Sequence, residues 1–318
     1  MKDEAINNSL KRIVKHNINV GIILLIVLLG ILPLTPIPTF IKHLFILLFM
    51  YLVLAQSWNV IGGLLGLVDF GHVIFFGIGA YTFAIALTYY YIPWHISIIL
   101  GGISAILISL IISPILRLRG AYFAIGMFAL AEAFRITFTN WGWVGGGGGM
   151  YVPIPKFSDI YLSFYYMMFV LSMITNYVVF RFMKSKLGLA AIAFRENYVT
   201  AHVIGINIVK IRLYGFILSA IFPGLAGSIY AWYLSFVNPQ TFFGEYLTAL
   251  MIIMVIVGGR GKFIGPIIGA IIILILNQFA IYYFPGFDLI VFAIIIIVVT
   301  IFAPEGVYGL LKTLWRRH

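Results

Sequence analysis

The chain has 318 residues, 63% of them hydrophobic and only 9% charged, with a mean hydropathy of +1.11. A soluble domain carries about a quarter charged residues, so this composition excludes one and predicts an integral membrane protein. The net charge of +11 belongs to topology rather than to nucleic acid, and the lack of any cysteine excludes disulfides, thiolate metal sites and thiol catalysis.

Taken in chain order, the apolar runs predict about ten membrane spans, at 19–33, 43–62, 72–91, 95–115, 121–141, 160–180, 213–234, 245–257, 264–284 and 288–303. Lys11, Arg12 and Lys15 precede the first run as in a signal peptide. Pro33-Leu34-Thr35-Pro36 follows it instead of a small-residue cleavage pattern, so an uncleaved span is expected. The fold class is therefore an all-α polytopic helical bundle. Three parts are expected: a cytoplasmic N-terminal segment (1–18), one transmembrane domain (19–303) and a cytoplasmic C-terminal tail (304–318).

Charge placement orients this bundle. With the N-terminus inside, nearly all Lys and Arg fall on cytoplasmic segments, including Arg117, Arg119, Arg260, Lys262, Lys312, Arg316 and Arg317. Lys42 and Lys156 lie outside, and Arg135 lies within a span. The positive-inside rule then predicts both termini in the cytoplasm. Tyr89, Tyr90, Tyr91, Trp94, Trp141, Trp143, Trp232 and Tyr233 fall at external span ends, where amphipathic rings favour the interface.

Two glycine-rich interruptions stand out. One runs from Gly62 to Gly71 with Gly77 and Gly79 beyond; the other runs from Gly258 through Gly261 and Gly265 to Gly269. Such breaks either line a transport path built from unwound helices or let helices approach closely, with Gly62/Gly66 and Gly261/Gly265/Gly269 as small-residue stripes. Pro223-Gly224 falls in mid-span and should kink the seventh helix.

Enzyme signatures fail one by one. Lys262 follows a glycine run, but Phe263 and Ile256 stand where a P-loop requires Ser or Thr and its first glycine, so this chain binds no ATP of its own. The six histidines are too scattered for metal-ligand spacing, so no metal is expected. Ser104, in Gly102-Ile103-Ser104-Ala105, lacks a following glycine and an obvious histidine partner. No catalytic residue is predicted.

What remains is intramembrane charge and two loops. Glu132 and Arg135 share one helix face, either as a mutually neutralising pair or as partners for the ammonium and carboxylate of a zwitterion. Asp69 either lines a polar path or caps the helix beginning near Gly71. The run Gly145 to Gly149 is either a plain loop or a set of amides presented to a ligand or binding protein, with Gly145, Gly146 and Gly149 the candidate contacts. The polar interval 181–212 holds Arg181, Lys184, Lys186, Arg195, Lys210 and Arg212. Within it Phe194, Tyr198, Ala201 and Gly205 recur at helical spacing between the breakers Gly188 and Gly205. That predicts a short helix whose slender apolar face either docks in a groove of another protein or lies on lipid.

Gly71-His72-Val73-Ile74-Phe75-Phe76-Gly77-Ile78-Gly79-Ala80-Tyr81, Gly120-Ala121-Tyr122-Phe123-Ala124, Ala131-Glu132-Ala133-Phe134-Arg135, Phe194-Arg195-Glu196-Asn197 and Gly265-Pro266-Ile267-Ile268-Gly269 together resemble the LivM-type permease subunits of branched-chain amino acid ABC importers. In the general permease loop pattern Glu-Ala-Ala-x-x-x-Gly, Ala201 and Gly205 match while Val199 and Thr200 occupy the first two places. The resemblance implies a second permease subunit (LivH-like, or a copy of this chain), two cytosolic ATPases that hold ATP and Mg²⁺, and an external solute-binding protein. It implies an ATPase-coupling loop that includes Gly188, Arg195, Glu196, Ala201 and Gly205, and a path near Asp69, Glu132 and Arg135. Urea or a short amide is the alternative cargo. An ion-coupled secondary transporter or channel is the alternative class.

Overall fold

A computed structural model describes residues 21, 24, 26–196, 207–283, 290 and 306–309. The start of the first predicted span, nearly all of the tenth, Tyr198, Ala201, Gly205 and both chain ends lie outside the described residues. The helices are α1 (Thr39–Trp58), α2 (Val73–Thr88), α3 (Trp94–Ile112), α4 (Ala121–Asn140), α5 (Ile160–Lys184), α6 (Lys186–Glu196), α7 (Ile208–Leu234), α8 (Pro239–Phe242), α9 (Glu245–Gly258) and α10 (Ile264–Tyr283). Seven helical segments among the described residues are long and apolar enough to cross a membrane. A two-stranded antiparallel ribbon, β1 (Met150–Tyr151) with β2 (Phe236–Val237), interrupts the all-α expectation.

The third predicted span differs most from expectation. Shorter than the span expected over 72–91, α2 has 16 residues and is buried along nearly its whole length. At 1.5 Å per residue it measures about 24 Å, short of the roughly 30 Å hydrocarbon core. A helix apolar on every side belongs inside a bundle rather than against lipid. It sits between α3 and α7, and it can do so because small residues face each other at the crossings. A Cβ on Gly79 would come within 2.0 Å of the Gly224 carbonyl oxygen, and one on Gly227 within 2.0 Å of the Phe76 carbonyl oxygen. Ser228 Oγ donates to the Gly79 carbonyl across the same seam (3.0 Å). Helix α7 runs on through Pro223.

Around this centre α1 is deeply buried, whereas α3 and α4 leave most of their length partly or fully exposed. The bundle has an aromatic end and a basic end. At the aromatic end Trp94, Phe157, Phe164 and Trp232 form one cluster, and Tyr89 stacks on Trp143. There Asp159 caps α5 by accepting from the Leu162 amide (2.9 Å) and pairs with Lys42 (2.9 Å). The Leu162 amide first, then the Lys42 ammonium, hold the Asp159 carboxyl below the usual carboxylate range.

Candidate functional site

At the basic end α1 does not simply stop; it widens into a π turn over Asn59–Leu64 and then leaves the helical path. A helix end must find partners for its last carbonyls. Here the Leu65 and Leu67 amides donate to Val60 O and Ile61 O, Arg260 Nε donates to Gly62 O (2.7 Å), and Arg195 Nη1 donates to Gly63 O (2.7 Å). Asn59 completes the joint, accepting from the Gly261 amide (2.9 Å) and donating to Lys262 O (3.0 Å). Gln56 Nε2 adds bonds to Phe263 O (2.8 Å) and Asn176 Oδ1 (3.1 Å). The two glycine interruptions are thus one structure. A Cβ on Gly63 would sit 2.8 Å from the Gly261 nitrogen. The stripe expected from Gly62 to Gly66 does not form, since Gly66 lies beyond the π turn with φ +73°.

The polar interval contributes α6, which differs from expectation in two ways. Gly188 is not a breaker before the helix but its third residue, buried, where a Cβ would meet Phe182 O at 2.1 Å. Phe194 does not offer an outward docking face; it is buried, with the Arg212 guanidinium 4.7 Å above its ring. Arg195 likewise turns inward, while its Nη2 donates to the exposed Glu196 carboxylate (2.6 Å). That contact holds the Glu196 carboxyl below its usual range.

Asp69 and His72 are both fully buried in the nonhelical stretch between the π turn and α2. Asp69 Oδ1 accepts from the Gly71 amide (2.9 Å), and Oδ2 lies 2.9 Å from His72 Nδ1. Trp58 Nε1 donates to the Asp69 carbonyl (2.8 Å). The Asp69 side chain therefore holds the turn before α2 rather than capping it, since the N-cap residue of that helix is His72 and it receives no side-chain capping bond. His72 Nε2 is buried without a hydrogen-bond partner among the described residues.

Glu132 and Arg135 meet as expected, with Arg135 Nε donating to Glu132 Oε2 (2.8 Å) and Nη2 to Oε1, each side chain about one-third exposed. They line an open cavity of about 660 Å³ with Phe128, Gln240, Gly244, Glu245 and Tyr246. Glu245 enters it from the first turn of α9. Tyr246 is anchored from behind, its hydroxyl donating to Asn277 Oδ1 (3.0 Å) while Asn277 Nδ2 donates to the Tyr51 hydroxyl (3.0 Å). No hydrogen bond joins Asp69 to this pair among the described residues; the link between them is Gly71, packed on the Met127 carbonyl of α4.

The glycine run Gly145–Gly149 is folded into tight turns. Gly145, Gly146 and Gly149 have φ of +84°, +53° and +76°, and a Cβ on Gly145 would meet Gly149 O at 1.9 Å. Their three amides donate to the carbonyls of Gly142, Trp141 and Gly146, so those amides bond within the loop. The run delivers the chain into β1.

Sequence reasoning passed over Gln56, Asn59, His72, Gln240, Glu245 and Tyr246. Polar side chains in an apolar span mark Gln56 and Asn59 as candidates. Nothing local marks Gln240 or Glu245, which reach the cavity only through the turn joining α8 to α9.

Residues 40–300 match the family model described as branched-chain amino acid transport system / permease component. The chain is 29% identical to the high-affinity branched-chain amino acid transport permease LivM of Salmonella typhimurium, over 80% of this chain and 67% of that protein. It is 28% identical, with the same coverage, to LivM of Escherichia coli K12. A probable LivH permease of Methanocaldococcus jannaschii is 31% identical over 40% of this chain and 42% of its own length. No solved structure matches.

Proposed function

Because the chain belongs to the branched-chain amino acid transport system permease family, we propose that it is the membrane-spanning subunit of an ABC importer for branched-chain or related small amino acids. The family match across residues 40–300 carries this reading. About ten spans cross a prokaryotic cytoplasmic membrane with both termini inside, and the basic end of the bundle is its cytoplasmic face. ATP and Mg²⁺ bind two partner ATPases, which dock on residues 181–212. A second permease subunit completes the passage, and an external binding protein delivers the solute at the aromatic end, against the loop containing Gly145–Gly149.

The chemistry of the open cavity supports a zwitterionic cargo. An amino acid presents an ammonium, a carboxylate and an apolar side chain. Glu245 suits the first, Arg135 the second, and Phe128 with Tyr246 the third. A mobile cargo needs groups that are already partly neutralised, so that it binds well enough to enter and weakly enough to leave. The Glu132–Arg135 pair meets that need, because Arg135 is held in place with part of its fork exposed.

Transport assays on the assembled importer test the cargo. Leucine uptake should be saturable and competed by isoleucine and valine but not by urea. Urea uptake that leucine fails to inhibit would replace the amino acid reading with the amide one.

A further inference from the structure

Arg195 stands in a slot built from both glycine interruptions. Gly66 and Gly261 both adopt left-handed backbone, φ +73° and +72°, a conformation that favours glycine. A Cβ on Gly66 would lie 2.8 Å from Arg195 Cγ, and one on Gly261 would lie 2.2 Å from Arg195 Nη1. The side chain therefore passes between the two breaks, gripped at its stem by one and at its tip by the other. At its end Nη1 holds the Gly63 carbonyl, and Nη2 holds the next residue's carboxylate.

The opposite end of the lever is also fixed. Helix α6 abuts the end of α5 at Gly188 and sits under Arg212 of α7 at Phe194. Arg195 thus ties α6 by a hydrogen bond to the joint of the two breaks. A rigid planar fork transmits displacement better than a flexible ammonium, since its donors cannot move independently.

We propose that Arg195 is the positioning residue through which a displacement of α6 reaches both glycine breaks together, turning the end of α1 against the turn between α9 and α10. This rests on the reading of residues 181–212 as the ATPase-docking interval. Arg195 itself touches neither ATP nor cargo. It sets the geometry by which hydrolysis elsewhere reorients the passage, so its loss leaves hydrolysis running and wastes it.

The test is the number of ATP molecules hydrolysed per leucine transported by the complete importer in proteoliposomes, with membrane assembly measured in parallel. Arg195→Ala removes a charge-assisted bond and should raise that ratio about tenfold at normal assembly. Arg195→Lys keeps the charge without the fork and should raise it about threefold. Gly261→Ala leaves Arg195 in place but drives a methyl against Nη1, and should reproduce the Arg195→Ala ratio. The double variant should then be no worse than Arg195→Ala alone, because both changes break one tie. Ratios for Arg195→Ala and Arg195→Lys within about twofold of wild type, or multiplying effects in the double variant, overturn the proposal. Should Arg195→Ala fail to assemble, Arg195→Lys decides: an unchanged ratio overturns the proposal, and a raised one supports it. Wild-type uptake that needs no ATP would instead refute the importer reading itself.

Discussion

Glu132 spends both carboxylate oxygens on Arg135, whereas Glu245 acts on Arg135 only as a charge, with no salt bridge or side-chain hydrogen bond between them. Glu245 is therefore the carboxylate available to an ammonium group. Glu245→Gln should raise the leucine concentration for half-maximal transport about tenfold, the size of one lost charge-assisted bond. An unchanged value would remove Glu245 from the passage. Asp69 works by different physics, since it holds the Gly71 amide and His72 in a fully buried turn. Asp69→Ala should cost about 3 kcal/mol, read as a lowered melting temperature of the detergent-solubilised protein, because it strands two buried partners. The Glu132–Arg135 contact was legible in the sequence because i,i+3 neighbours must share a helix face. The inward turn of Phe194 and Arg195 was not, because an amphipathic pattern does not say which neighbour its apolar side meets.

Among elements, α2 is held by backbone-to-backbone approach rather than by large side chains. Gly79→Leu would insert four carbons where the Gly224 carbonyl already stands 2.0 Å from a single Cβ, and should destabilise the bundle by about 3 kcal/mol or prevent insertion. Normal yield and melting temperature would show that α2 and α7 do not cross there. The start of α5 gives a pH dependence. Since the Asp159 carboxyl is held below its ordinary range, its contribution is fully present above the unfolded value of about pH 4 and is lost as pH falls through the lower folded value. Melting temperatures followed downward from pH 6 should therefore drop below about pH 4, and less steeply for Asp159→Asn, which keeps a capping oxygen without the titration. Identical pH profiles for the two proteins would contradict this. Helices α4, α5 and α10 fall within a few residues of their expected spans, since hydropathy reports length well. The extent of α2 was overestimated because apolar and aromatic residues continue past its end at Thr88, and its burial was missed because hydropathy cannot tell a lipid-facing surface from one buried in protein.

For the molecule as a whole, the long-range pairing of the glycine interruptions was beyond the sequence alone. Asn59 and Lys262 lie 203 residues apart in the chain, and only the folded bundle brings them together. That joint, with Arg195 and Arg260 closing the end of α1, stands at the basic end beside α6. The central claim is that energy enters this chain from ATPases bound there. The most direct measurement is leucine uptake into proteoliposomes containing the complete importer, with ATP supplied on the ATPase side and ionophores abolishing every ion gradient. Uptake that persists under ionophores and stops when the ATPases are omitted is the predicted result. Uptake that continues without ATPases and follows an imposed proton or sodium gradient would contradict it.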